Sequence, residues 1–213
     1  MVLNIRPVVT GGAGAAVASY DYFDIAEGTG TKEFTGFFYG NRGESSGSLI
    51  ADGVIDRTKK SQSDSGPCAP AGWSKTLDID FDLAQFNTPK TIKGTGYFLG
   101  SWMLEDASTG TKTSGAIVIK IKKWDGTTET TIAQTSGAIT YIAVSSQNII
   151  PEIFKINIPS ADFKIGEVLR VSAEAWYESA SNETKIQEHI YHNPGEKDCS
   201  GAFKILIPFK LEV

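Results

Sequence analysis

The sequence predicts an all-β protein, an antiparallel jelly-roll-like β-sandwich with an N-terminal extended arm; an immunoglobulin-like sandwich has a similar pattern that periodicity does not separate from it, and three observations carry the all-β expectation. Apolar and polar residues alternate with a period of two from about residue 76 onward, the mark of strands with one buried face. Asp125-Gly126 falls between two β-rich runs, which is the strongest short-range hairpin signal. Helical periodicity is nearly absent, a turn at Ser160–Phe163 being the one candidate. The 213 residues, at about 150 per domain, correspond to one large β domain or to one domain with an arm. The division is placed at residues 1–72, an arm and irregular β segment, and 73–213, the sandwich.

In chain order, residues 1 to about 30 carry Gly11, Gly12 and Gly14 and are expected to form the arm. Glycine-rich termini are held in place only when something ties them down. The tie is either a neighbouring subunit or the domain itself, and both remain open. Arg6, Gly11, Gly12, Tyr20, Tyr22 and Phe23 are the candidate partner contacts of the arm. The opening MVLNIRPVVT imitates a signal peptide, but the glycines that follow are foreign to an apolar signal core, so the segment is expected to be retained.

EFTGFFYG (33–40) and SLIADGVI (48–55) can form strands, and residues 57–72 read as a polar, turn-rich loop. In KTLDIDFDL (75–83), Leu77, Ile79, Phe81 and Leu83 share one face while Asp78, Asp80 and Asp82 share the other. Residues 91–104 are aromatic and hold Gly94, Gly96 and Gly100, which mark bulges or close backbone approach. Residues 115–135 read as the hairpin, and 138–144 and 152–158 as further strands. In 166–177, Leu169, Val171, Ala173 and Ala175 oppose Arg170, Ser172 and Glu174. Residues 184–192 and 203–213 complete the set, the last placing Phe203, Ile205, Ile207, Phe209 and Leu211 together. Pro208 cannot donate a ladder hydrogen bond and is expected at an edge or a bulge.

Composition excludes several chemistries. The net charge of −5 opposes a nucleic-acid partner, because phosphate binding requires a basic surface. No stretch reaches the roughly 18 apolar residues of a membrane-spanning helix, so no membrane association is expected. Cys68 and Cys199 lie in separate loops, outside any close-spaced metal or redox motif, and free thiols are expected ahead of a disulfide closing the long loop between them. Asp78, Asp80 and Asp82 could offer oxygen ligands to calcium, but a flat strand spreads its ligands. A solvated face, or pairing across strands with Lys120 and Lys122, is favoured. His189 and His192, three apart on a strand, point to opposite faces, so no shared metal is expected. No nucleophile motif is present, two carboxylates occur on any acidic sandwich, and neither enzyme activity nor a cofactor is expected.

The four tryptophans, with Tyr20, Tyr22, Tyr39 and Tyr97, could stack on sugars. Filling of a core or an interface is the commoner use of large aromatics. Trp124 alternates with Lys120 and Lys122, should point outward near the hairpin tip, and is the candidate glycan-stacking residue.

The C-terminal string HIYHNPGEKDCSGAFKILIPFKLEV resembles the ending of jelly-roll virion structural proteins of tailed phages, in which a short His-Asp-Pro-like turn precedes a final strand with an Ile-Pro-Phe-Lys pattern. Here the matching residues are His192-Asn193-Pro194, with Asn in place of Asp, and Ile207-Pro208-Phe209-Lys210. KIKKWDGTTETTIAQ and FKIGEVLRV are similar to the same group. The resemblance implies a capsid decoration or other head-associated subunit on the virion surface. Its partners would be the major capsid protein and copies of itself, as in a trimeric ring, with contacts on the standard scale of about 1,600 Å². The alternative is a carbohydrate-binding β-sandwich module for head or fibre adhesion, and a carboxylate hydrolase using Asp80 stands third.

Overall fold

A computed structural model describes residues 31–40, 45–51, 62–64, 72–106, 113–142, 146–179, 186–191 and 203–210. Twelve strands occur among them: β1 (Thr31–Gly40), β2 (Ser46–Ile50), β3 (Gln62–Asp64), β4 (Gly72–Asp82), β5 (Lys90–Asp106), β6 (Thr113–Trp124), β7 (Glu129–Ser136), β8 (Thr140–Ile142), β9 (Ser146–Phe163), β10 (Val168–Ser179), β11 (Ile186–Tyr191) and β12 (Lys204–Lys210). The fold is all-β and mostly antiparallel, as the period-two alternation predicts. One ladder runs β3-β11-β5-β12-β1-β2-β4-β10-β6-β7, with β8 added to β6 and β9 to β5. Among the described residues only the short β2–β4 pairing is parallel. The sheet folds over on itself until β7 touches β9, giving a shape between a sandwich and a barrel.

The inner face holds the side chains that alternation placed there. Ile79 and Phe81 of β4, Ile117, Ile119 and Ile121 of β6, and Val171, Ala173 and Ala175 of β10 form one wall. Phe98, Trp102 and Leu104 of β5, with Phe203 and β12's Ile205 and Ile207, form the other. Phe38 of β1 joins them, its ring centroid lying 4.7 Å from Phe81, 5.4 Å from Phe203 and 6.1 Å from Phe98, all edge to face. Such aromatic pairs add about 0.5–1.5 kcal/mol each beyond their area burial.

Several local expectations sharpen or change. The turn expected at Ser160–Phe163 is instead the end of β9, because Ala161 and Asp162 pair with Ile92 and Thr91 of β5, and Thr91 Oγ1 donates to Asp162 Oδ1 at 2.6 Å. The strand read over 152–158 extends to the 18 residues of β9, since β5 offers a partner along its whole length. The hairpin turn spans Asp125–Thr128, with Gly126 at φ 95° and the Asp125 carboxylate accepting from the Thr127 and Thr128 amides at 2.9 and 2.6 Å. Those two amides hold the Asp125 carboxyl below its ordinary range. Pro208 lies inside the sheet, between β1 and β5, where the β12–β5 register shifts. Gly94 faces it at φ 129°, so the glycine and the proline occupy one irregularity. Residue 72, the last of the segment read as irregular, opens β4, and β1 and β2 before it are members of the same sheet.

Candidate functional site

The outer face of β4, β10, β6 and β7 carries the charged residues that the sequence set opposite the core. β10 lies between β4 and β6, so Asp82–Arg170–Lys122 and Asp80–Ser172–Lys120 form rows across three strands, and Glu174 stands opposite Asp78. Arg170 grips Asp82 with Nε to Oδ1 at 2.6 Å and Nη2 to Oδ2 at 2.8 Å, and donates to Glu129 at 3.0 Å. Lys122 binds Glu129 at 2.6 Å and reaches Asp80 at 3.5 Å, while Ser172 donates to the same Asp80 oxygen. Lys120 binds Glu174 at 2.6 Å, Trp176 Nε1 donates to Glu174 at 2.8 Å, and Lys75 bridges Glu174 and Asp78.

The expected pairing of the aspartate row with Lys120 and Lys122 is thus met by Lys122 alone. Lys120 goes to Glu174, and the main partner of the aspartates is Arg170 on the strand between, which no local pattern could place there. The centre of this face is not wet: Ser172, Glu174 and Lys122 are buried. Burial opposes ionisation of Glu174, yet Lys120 and Trp176 outweigh it and hold the carboxyl below its ordinary range. Burial likewise resists the charge on Glu129 and Lys122, and their mutual ion pair prevails, moving Glu129 down and Lys122 up. These glutamates are held ionised by neighbouring cations, the opposite of the raised pKa that a general acid needs. Among the described residues no group of three or more His, Cys, Asp or Glu is placed to hold a metal ion.

Trp124 is half-buried beside this network, with the Arg170 guanidinium 4.9 Å from its ring centroid, so part of its aromatic face is already engaged. Trp102 is a core residue. His189 sits on β11 opposite Met103 of β5 and Asp64 of β3. Arg6, Gly11, Gly12, Tyr20, Tyr22 and Phe23 of the arm lie outside the described residues, as do Cys68, Cys199 and His192.

Two features escaped the sequence. On the outer face of β5 and β9, Tyr97, Ile149 and Ile153 are exposed, Ile153 to 73%. Ile153 lies opposite Leu99, and Ile149 opposite Met103, so they occupy one side of one ladder. The available signal was the paired apolar residues Ile149-Ile150 and Ile153-Phe154, where alternation fails and both faces receive an apolar side chain. The second feature is an open cleft of about 390 Å³ at one end of the fold, with Phe34, Leu83, Phe86 and Phe209 as floor and Lys32, Lys90, Lys210 and Glu33 at its rim. The Phe209 ring contacts Phe34 at 5.8 Å and Phe86 at 6.0 Å between centroids.

No family model matches the chain, and no curated protein matches it in sequence. Solved structures share its fold. An aminopeptidase from the marine sediment archaeon Thaumarchaeota archaeon superposes with a TM-score of 0.57 at 10% identity, over 84% of this chain and 37% of that one. An α-amino acid ester hydrolase gives 0.51 at 9% identity, over 84% and 36%. The VP2 subviral particle of infectious bursal disease virus gives 0.36 at 11% identity, over 77% and 39%. The chain spans little more than a third of the length of the two hydrolases it matches. At such identities the likeness to the hydrolases is one of fold alone, and that to the viral capsid protein is a distant structural similarity.

Proposed function

We propose that this chain is a non-enzymatic virion structural subunit, a capsid decoration or stabilising protein that acts through contacts with the major capsid protein and with copies of itself. The observation that carries the contact reading is the exposed apolar side of β5 and β9, with Tyr97, Ile149 and Ile153 set on a regular ladder. Contiguous apolar surface on a folded body marks an interaction site, and its burial contributes about 25 cal/mol per Å². The opposite face supports the same reading in another way. Its charges are spent on one another, across strands, which stiffens the sheet as a block. The virion assignment itself rests on the C-terminal resemblance, whose Ile207-Pro208-Phe209-Lys210 closes β12. A net charge of −5 suits an outer surface away from packaged DNA.

Sedimentation velocity of the full chain, and its co-sedimentation with capsids of the parent virus, test this directly. The expected result is binding that Ile153→Glu weakens by tenfold or more, a loss of about 1.4 kcal/mol, while the fold is retained because Ile153 is exposed. A chain that neither self-associates nor binds capsids, or whose binding ignores Ile153→Glu, would end the reading. Binding to a glycan array that Trp124→Ala abolishes would replace it with the carbohydrate-binding alternative.

A further inference from the structure

We propose that the outer face of β4, β10, β6 and β8 binds a neutral oligosaccharide, laid across the strands with Trp73, Trp176 and Tyr141 stacked on its apolar faces and the Glu178 carboxylate among its hydroxyls.

Strand pairing builds the platform. Trp73 of β4 stands opposite Glu178 of β10, Glu178 opposite Ser114 of β6, and Ser114 opposite Tyr141 of β8. Residues opposite one another on paired strands share a face, so these four make one row across four strands. Three interstrand steps set Trp73 and Tyr141 roughly 14 Å apart, a span for a short oligosaccharide rather than a single sugar. Trp176, two residues before Glu178, points to the same side and is the diagonal neighbour of Trp73. The face is the outer one. Trp176 Nε1 donates to Glu174 at 2.8 Å, within the charged network, while Tyr177 between Trp176 and Glu178 lies in the core.

Three properties match a sugar. Tyr141 is 69% exposed and Trp73 41%, and flat aromatic faces suit the C–H faces of a pyranose ring. Ser114 and Ala116, which lie on β6 between the tryptophans and Tyr141, are small, so a ligand can rest on the sheet between the rings. Glu178 sits in the middle of the row, where a carboxylate accepts hydrogen bonds from hydroxyls. The centre of a protein contact is depleted of charge, so a carboxylate between the rings favours a hydroxyl-bearing ligand over a protein partner. It also repels an acidic sugar, which makes the ligand neutral.

This platform is separate from Trp124, which stands at the other end of β6, roughly 33 Å from Ser114 by the strand rise, with Arg170 against its ring. It is separate also from the β5–β9 face, and it does not depend on the virion reading.

Calorimetric titration of the full chain with cello-, xylo- and chito-oligosaccharides, beside an array of neutral and acidic glycans, tests the proposal. At least one neutral probe is expected to bind, with an affinity on the order of millimolar or tighter. Tyr141→Ala and Trp73→Ala should each weaken that binding by about tenfold, one stacked ring being lost. Tyr141→Phe should preserve it, and Trp124→Ala and Ile153→Glu should leave it unchanged, which keeps the result distinct from that of the capsid test. Both deleted rings are exposed, so the fold is retained, circular dichroism checks it, and Tyr141→Ala decides alone if Trp73→Ala does not fold. No binding of any neutral probe, binding confined to acidic glycans, or binding indifferent to both ring deletions overturns the proposal. Self-association lost in Tyr141→Ala, in a parent that binds no glycan, overturns it too, by giving the face to a second copy.

Discussion

Arg170 and Asp82 face each other across the β10–β4 ladder and share two parallel hydrogen bonds, at 2.6 and 2.8 Å. The fork is the geometry that only a guanidinium can supply to a carboxylate, and the same group also reaches Glu129 and lies against Trp124. Arg170 is thus the residue that ties β4, β10 and β7 together on the outer face.

Arg170→Lys keeps the charge and loses the fork, the second carboxylate and the ring contact. The expected cost, after allowing for partial exposure of the carboxylates, is about 1–2 kcal/mol. A urea titration followed by tryptophan fluorescence measures it, and a midpoint indistinguishable from that of the parent would show that the network contributes nothing net.

The same face sets the acid response. The carboxyls of Glu174 and Glu129 titrate below their ordinary range in the folded chain, burial being outweighed by Lys120, Trp176, Lys122 and Arg170. A depressed folded pKa means that the unfolded chain binds protons first. The stability these groups contribute is therefore fully present above the unfolded glutamate value, about 4.3, and is lost as pH falls below it through the folded values. Glu152 runs the other way. Burial pushes its carboxyl up, so its contribution is largest at low pH and is lost as pH rises through the raised value. Thermal melts from pH 3 to 7 should show Glu174→Gln flattening the acid limb, whereas Glu152→Gln should remove destabilisation near neutral pH. Parallel curves for parent and both variants would contradict these assignments.

Two glycines separate backbone strain from crowding. Gly94 and Gly126 both have positive φ, 129° and 95°, but a Cβ on Gly94 would come within 3.2 Å of Pro208 Cγ, while one on Gly126 would meet nothing within 4 Å. Gly126→Ala should cost about 1 kcal/mol from conformation alone. Gly94→Ala should cost more, because the bulge and Pro208 must shift as well. Equal losses in chemical denaturation would show that the Gly94–Pro208 approach has room to relax.

What a strand dictates locally could be read from the order of residues alone. Side chains alternate across a pleated backbone, so the buried set of Ile79, Phe81, Val171, Ala173, Ile205 and Ile207 and the outward set of Asp80, Asp82, Arg170 and Ser172 were legible residue by residue. Asp125-Gly126 fixed its hairpin in the same way, and Gly94 and Pro208 announced an irregularity. Which strands become neighbours was set by the folding of the whole chain. Pairing is a bargain among segments far apart in the chain, settled by shape, charge and closure of the whole sheet, and no local window records it. That is why Arg170 took the aspartates expected to go to Lys120, and why Phe34, Phe86 and Phe209, spread over three distant segments, meet in one cleft. It is also why Ile153 ends outside, since only the pairing of β9 with β5 tells which of two adjacent apolar side chains the core will take.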